Sequence, residues 1–273
     1  MSSDTEKTQN QNESHPLIDA LNNAEEGALE KALDFLRTGK GNNRIRVLIG
    51  EAVGRVGDPR LRAPNQYDYW VETELLFGRV AVGKYMVTTQ EWSSFIQGPH
   101  YRRNEYWSES GVAWRDSDRP SWLDLAKSSE VASFIIPNQP VVGVSWFEAE
   151  AYANFYNARL LDFSERVDLV RGEQKRHYPW GTPFGRGNAN TKEESIQKPS
   201  AVGIFLRDQI PEGVFDLAGN VAEWTANIEE GRAVIHPGSW FRGAMASWPK
   251  ASEILSAAAR LNSLGFRIAR DLD

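Results

Sequence analysis

The sequence predicts an α+β fold, a loop-rich domain of short strands and two main helices that follows a small helical module. Three observations carry this expectation. Apolar residues recur at sustained helical spacing between residues 16 and 60. Beyond Tyr67, two capping-box tetrads mark the convincing helix starts. From Tyr178 onward Gly, Pro and Asn are frequent, as in irregular backbone held by side-chain packing, and ten tryptophans are available for that packing.

Residues 1–15 carry no large apolar side chain after Met1, so they are expected to form a disordered tail. Pro16 suits a first helical turn. Leu17, Ile18, Leu21, Ala28, Leu29, Ala32, Leu33 and Leu36 then follow at three-to-four spacing up to Gly39 and Gly41. A second stripe of Ile45, Leu48, Ile49, Ala52, Val53 and Val56 runs to Gly57 and Pro59, and together the two predict a helical module over 16–65. Residues 66–273 form the main domain. Within it Val80, Val82 and Met86 alternate with Arg79, Ala81 and Lys84, the pattern of a half-buried strand. That strand leads into Thr88 and Glu91, whose side chains can satisfy each other's free backbone N–H groups at a helix start. Ser145 and Glu148 repeat the arrangement, and Trp146, Ala149, Ala153 and Tyr156 share the face of the helix that follows. Beyond Arg159 no comparable stripe appears, so no third long helix is expected.

Lys and Arg number 31 against 37 Asp and Glu, a net charge of −6. A mildly acidic chain without basic runs argues against general capture of nucleic acid or of an anionic membrane. No apolar run approaches the ~20 residues of a membrane helix, and the polar start lacks the signal-peptide pattern. The protein is expected in the cytoplasm. There is no cysteine, which removes disulfides, thiolate metal sites, iron–sulfur clusters and thiol nucleophiles together. The four histidines, His15, His100, His177 and His236, are so far apart that a metal centre built from them requires tertiary convergence.

Several segments match one family in order: Val87-Thr88, Pro140 to Trp146, Arg159-Leu160, Tyr178-Pro179-Trp180-Gly181, Phe215 to Thr225, Gly238-Ser239-Trp240 and Gly265-Phe266-Arg267. Together they resemble the formylglycine-generating enzyme, or sulfatase-modifying factor, domain over roughly residues 66–270. The resemblance implies a C-type-lectin-like fold with short twisted antiparallel sheets and two main helices. It does not carry the family's oxidase activity with it. That activity uses copper held by two cysteines in a segment corresponding to Ser252–Arg260, and soft Cu(I) requires soft ligands that Ser, Ala and Glu do not replace. No copper is expected. A second branch, the iron-dependent sulfoxide synthases of thiohistidine biosynthesis, takes its ligands from a histidine-bearing helical domain, whereas residues 1–65 hold one histidine, His15. Where family enzymes commonly place a helix with a tryptophan, this chain reads Arg159 to Val167 without one, leaving the helix there open. Only Leu261 to Leu264 separate Arg260 from Gly265, so the usual pocket-shaping loop is shortened and an absent pocket is expected.

Two candidate sites follow from the resemblance. Asn220 and Glu223 correspond to a calcium-binding motif and have oxygen donors suited to Ca²⁺; the alternative is that Asn220 satisfies a turn and Glu223 accepts backbone or arginine hydrogen bonds. The second site is the stretch after Gly238-Ser239-Trp240, where Phe241, Arg242, Met245, Trp248, Lys250, Glu253 and Asn262 include types enriched at binding surfaces. In the variable proteins of diversity-generating retroelements this stretch resembles the diversified ligand-binding face. A non-catalytic scaffold binding a protein or other macromolecule through residues 241–263 is therefore expected, the alternative being a metal-dependent enzyme without cysteine chemistry. The helical module is expected to dock a partner or to cap the domain. His236 and Ser239 are close enough in sequence to test as a nucleophile and base, and Arg260 and Arg267 are expected to be structural.

Overall fold

The stripes of residues 16–56 fold into three helices in the computed structural model, which describes residues 15–76, 78–117 and 120–272. The tail expected over residues 1–15 lies outside the described residues except for His15. Of helices α1 (Pro16–Asn22), α2 (Ala28–Arg37) and α3 (Asn43–Val56), the first and third start at side-chain caps, His15 Nδ1 accepting from Leu17 N–H and Asn42 Oδ1 from Ile45 N–H, while α2 starts at Gly27 in the left-handed region. Their apolar faces do not close on one another alone. Ala32, Leu36, Ile49 and Val53 share a core with Ala201, Ile204 and Phe205 of the domain, so the module caps the domain. Gly54 shows how close the approach is. A Cβ there would lie 2.1 Å from Asn138 Oδ1, and Asn138 Nδ2 reaches across to Gly50 O at 2.9 Å and Asp58 Oδ2 at 2.8 Å.

The strand expected near Arg79 is β2 (Gly78–Gly83), paired with β1 (Trp70–Leu75). Both capping boxes form: Thr88 and Glu91 open α4 (Thr89–Gln97), and Ser145 and Glu148 open α7 (Trp146–Phe155). Between them lie the short α5 (Glu109–Arg115) and α6 (Trp122–Ala126), capped by Ser108 and Ser121, which the apolar pattern does not announce. After β3 (Arg159–Leu160) comes α8 (Phe163–Arg171), which corrects the expectation of no further long helix. Asp162 and Glu165 form its capping box. Its stripe is thin because one residue of the buried face is Arg166, which reads in sequence as a solvent position.

The remaining strands are β4 (Ala222–Glu229), β5 (Arg232–His236), β6 (Glu253–Ser256), β7 (Leu264–Phe266) and β8 (Ile268–Asp271). Among the described residues they complete two four-stranded sheets, ordered β1-β2-β8-β3 and β6-β5-β4-β7, in which only the β4–β7 pair is parallel. A single residue, Arg267, separates β7 in one sheet from β8 in the other. The core beside them is aromatic: Trp92 meets Tyr101, Trp122 and Phe266 edge-on, with ring centroids 6.2–6.3 Å apart. Trp146 Nε1 donates to Thr225 O at 2.7 Å and Trp224 Nε1 to Val144 O at 3.0 Å, so the two indoles tie α7 and β4 together reciprocally. Trp180 and Trp240, which also stand in the family-like motifs, are half-buried. Among the described residues no helix is long and apolar enough to cross a membrane.

Candidate functional site

The chain leaves β5 through Gly238, where a Cβ would lie 2.6 Å from Ala218 O and 2.7 Å from the His236 ring. His236 is fully buried. Its Nδ1 accepts from Gly238 N–H at 3.3 Å, which leaves Nε2 to carry the proton and donate to Trp248 O at 3.1 Å. Burial, and secondarily the positive charge of Arg166, push its pKa well below the usual imidazole value, so it stays neutral. Ser239 Oγ donates to Pro237 O. Both imidazole nitrogens are thus committed to backbone, and no serine–histidine dyad forms.

Three further contacts fix the loop's backbone. Lys192 N–H donates to Arg242 O at 3.0 Å, Ala244 N–H donates to Glu193 Oε1 at 2.8 Å, and Tyr178 OH reaches Ala244 O at 3.4 Å. The side chains turn outward. Phe241 is 56% exposed, Met245 78% and Trp248 38%, and Lys250 is exposed beyond them. Arg242 pairs with Glu253 at 2.8 Å and lies over the Phe241 ring, joining the loop to the first residue of β6; the Trp248 ring meets His177 edge-on. Phe241, Arg242 and Glu253 are therefore brought together. Asn262 is exposed but precedes β7, at the opposite edge of the β6-β5-β4-β7 sheet from Glu253. Ile254, 56% exposed on β6, was missed by sequence reasoning; its alternation with half-buried Glu253 and Leu255 puts it on the other face of the strand, in a hollow with Ile228 and Val234. The supports Glu193, Tyr178 and His236 were missed as well, and long-range contacts of this kind leave no local trace.

Asn220 and Glu223 take the second of their two arrangements. Asn220 Oδ1 accepts from Ser200 N–H and its amide donates to Ser200 O. Glu223 is buried and receives Arg166 Nη2 at 2.8 Å on one oxygen and Arg267 Nε at 3.1 Å on the other. Desolvation opposes its charge, but the two guanidiniums win and hold its pKa below the usual carboxylate value. Both side chains are thus engaged by protein groups in this arrangement, Asn220 by the Ser200 backbone and Glu223 by two arginines. Arg267 also donates to Gly83 O and Phe215 O, clamping both sheets. Arg260 is half-buried, bridging both oxygens of Glu148 at 2.5 and 3.0 Å over the face of Trp114. The short Leu261–Leu264 connection does not abolish every hollow: a cavity of about 470 Å³ lies beside Arg260, lined by Trp114, Arg115 and Asp116. Among the described residues His, Asp and Glu side chains nowhere gather in a group of three or more able to hold a metal ion.

The family profile described as "Sulfatase-modifying factor enzyme 1-like domain" matches residues 57–272. A hercynine oxygenase of Mycolicibacterium thermoresistibile is 30% identical over 158 residues, 54% of this chain and 35% of that protein. A formylglycine-generating enzyme of Thermomonospora curvata is 38% identical over 106 residues, 33% of this chain and 34% of that protein. The chain thus spans about a third of the length of these curated relatives. Among solved structures, PvdO from Pseudomonas aeruginosa superposes with a TM-score of 0.53 at 22% identity, covering 71% of this chain and 81% of that one, which supports the C-type-lectin-like arrangement of small sheets and helices. With most of its length matched by the profile and its short sheets and capped helices arranged in the same way, the chain belongs to the sulfatase-modifying factor enzyme 1-like domain family.

Proposed function

We propose that the protein is a non-catalytic scaffold that binds a protein partner through the loop and strand surface of Phe241, Arg242, Met245, Trp248, Lys250 and Glu253, with Asn262 on a separate edge. One observation carries this reading: large apolar side chains point outward from a backbone pinned by hydrogen bonds to His236, Glu193 and Tyr178. Folding gains nothing from exposing Phe241 and Met245, whereas rigid aromatic and Met side chains on ordered backbone supply binding energy at small entropic cost. A fixed backbone also lets these side chains vary without disturbing the core, which fits diversification of codons 241–263 by a retroelement.

A photo-cross-linking residue at position 245, compared with one at exposed Glu212, tests the surface in cells that make the protein. Adducts to one protein through position 245 alone are expected, and equal labelling at both sites sinks the reading. Diversification is tested separately. A neighbouring reverse-transcriptase gene with an adenine-rich copy of codons 241–263 is expected, and identical codons across isolates with no such copy would rule it out.

A further inference from the structure

A hollow of about 940 Å³ opens between α2 and the domain, and none of residues 241–262 lines it. Its volume lies in the roughly 300–1,000 Å³ range of small-molecule sites. The domain side is walled by Tyr85 and Phe215, whose rings tilt together with centroids 5.4 Å apart. Gly203 makes that wall possible: its φ is +68°, and a Cβ would lie 2.5 Å from the Tyr85 ring. In a chain of net charge −6, six basic side chains line the hollow against three acidic ones. One of those acids, Asp34, is already taken by Arg37 at 2.6 Å and Lys40 at 3.6 Å. Lys31 and Lys84 have no carboxylate partner among the described residues.

Positive charge sits in the wall and just behind it, and the protein offsets only the part on Arg60. Arg60 engages Asp58 through Nε and Nη2 only. Beside it Arg46 is 4% exposed, donates through Nη2 to Ile204 O, and has a buried Nη1 with no hydrogen-bond partner. Burial first, and the charge of Arg60 second, lower the proton affinity of Arg46. A buried guanidinium without a carboxylate is costly, and an anion brought close offsets part of that cost.

We propose that this cleft binds a small polyanion carrying a flat ring, a ligand of the nucleotide class, with its ring against Tyr85 and Phe215 and its phosphates toward Lys31, Arg60, Arg62 and Lys84. Stacking and charge-assisted hydrogen bonds then act on opposite ends of one molecule. The site is independent of the 241–262 surface.

Isothermal titration of the full chain with ATP, GTP and flavin mononucleotide, each beside inorganic triphosphate and free adenosine, tests the assignment. At least one nucleotide is expected to bind with a Kd below about 100 μM, and triphosphate and adenosine each about tenfold or more weaker. Lys31→Glu with Lys84→Glu, and exposed Lys31→Glu alone as a variant that leaves the domain untouched, are expected to weaken that nucleotide about tenfold or more and by a smaller factor respectively, with the unfolding midpoint unchanged. No nucleotide binding below about 1 mM overturns the proposal. So does triphosphate binding as tightly as the nucleotide, or binding indifferent to both variants.

Discussion

Residues 215–225 and 238–250 are both largely irregular chain between or beside strands, yet they dispose of their polar groups in opposite ways. In the first, side chains are committed: Asp216, Asn220 and Glu223 are buried and hydrogen-bonded to backbone or to arginines. In the second, the backbone is committed, through Trp248 O, Arg242 O and Ala244 N–H, and the side chains are left outward. A loop whose side chains are engaged tolerates little change in them. One whose backbone is engaged can accept many different residues at the same place, which suits recognition.

The largest test of this contrast is Glu223→Gln. It leaves two buried arginines sharing one uncharged acceptor, and a loss of about 3–5 kcal/mol is expected in urea unfolding; a loss below about 1 kcal/mol would show that the pairing is dispensable. Next is pH. Burial pushes Asp208, which accepts from Ala218 and Gly219 N–H, up to about 8 with the charge of Asp216 adding to it, and pushes Asp216 up to about 6. Glu91 is raised to about 7 by the same desolvation. The unfolded carboxylates titrate near ~4, so the native state holds more protons between there and pH ~8, and stability falls as pH rises through that window. The urea midpoint is expected to be lower at about pH 8.5 than at about pH 5.5, by on the order of 2 kcal/mol in stability, and a higher midpoint at alkaline pH would refute the buried-acid account.

His236→Ala removes the pin of the other segment. A loss of about 2 kcal/mol is expected, together with faster amide exchange confined to residues 238–250; uniform acceleration across the domain would mean that the loop has no separate anchor. The smallest effect on stability belongs to Met245→Ala and Phe241→Ala, each expected within about 0.5 kcal/mol of the parent because little of either side chain is buried. If either destabilises as much as His236→Ala, the outward side chains are part of the core and the contrast collapses.

Legibility in sequence follows the range of the interaction. Thr88 with Glu91 and Ser145 with Glu148 act within one turn, so α4 and α7 are visible in the chain itself. Asp162 with Glu165 has the same local signal, but buried Arg166 interrupts the apolar stripe, and its partner Glu223 is 57 positions away. The outward face was legible because Phe241, Met245 and Trp248 are chemically conspicuous between two framework motifs. What holds that face was not, since Tyr178, Lys192 and Glu193 join it only in three dimensions. The pairing of Glu223 was hidden for the same reason. Its oxygen chemistry was evident, while the two arginines that occupy it come from α8 and from the joint between the sheets.

That joint bears on synthesis. β8 lies between β2 and β3, and Arg267 reaches back to Gly83 and Phe215. The emerging chain therefore makes β1, β2 and β3 long before the strand that pairs β2 with β3 exists. The facing edges of β2 and β3 and the second oxygen of Glu223 must wait for residues 267–271 to leave the ribosome. Native closure of both sheets accordingly follows the synthesis of Arg267, and a ribosome stalled just short of it carries a chain with open strand edges.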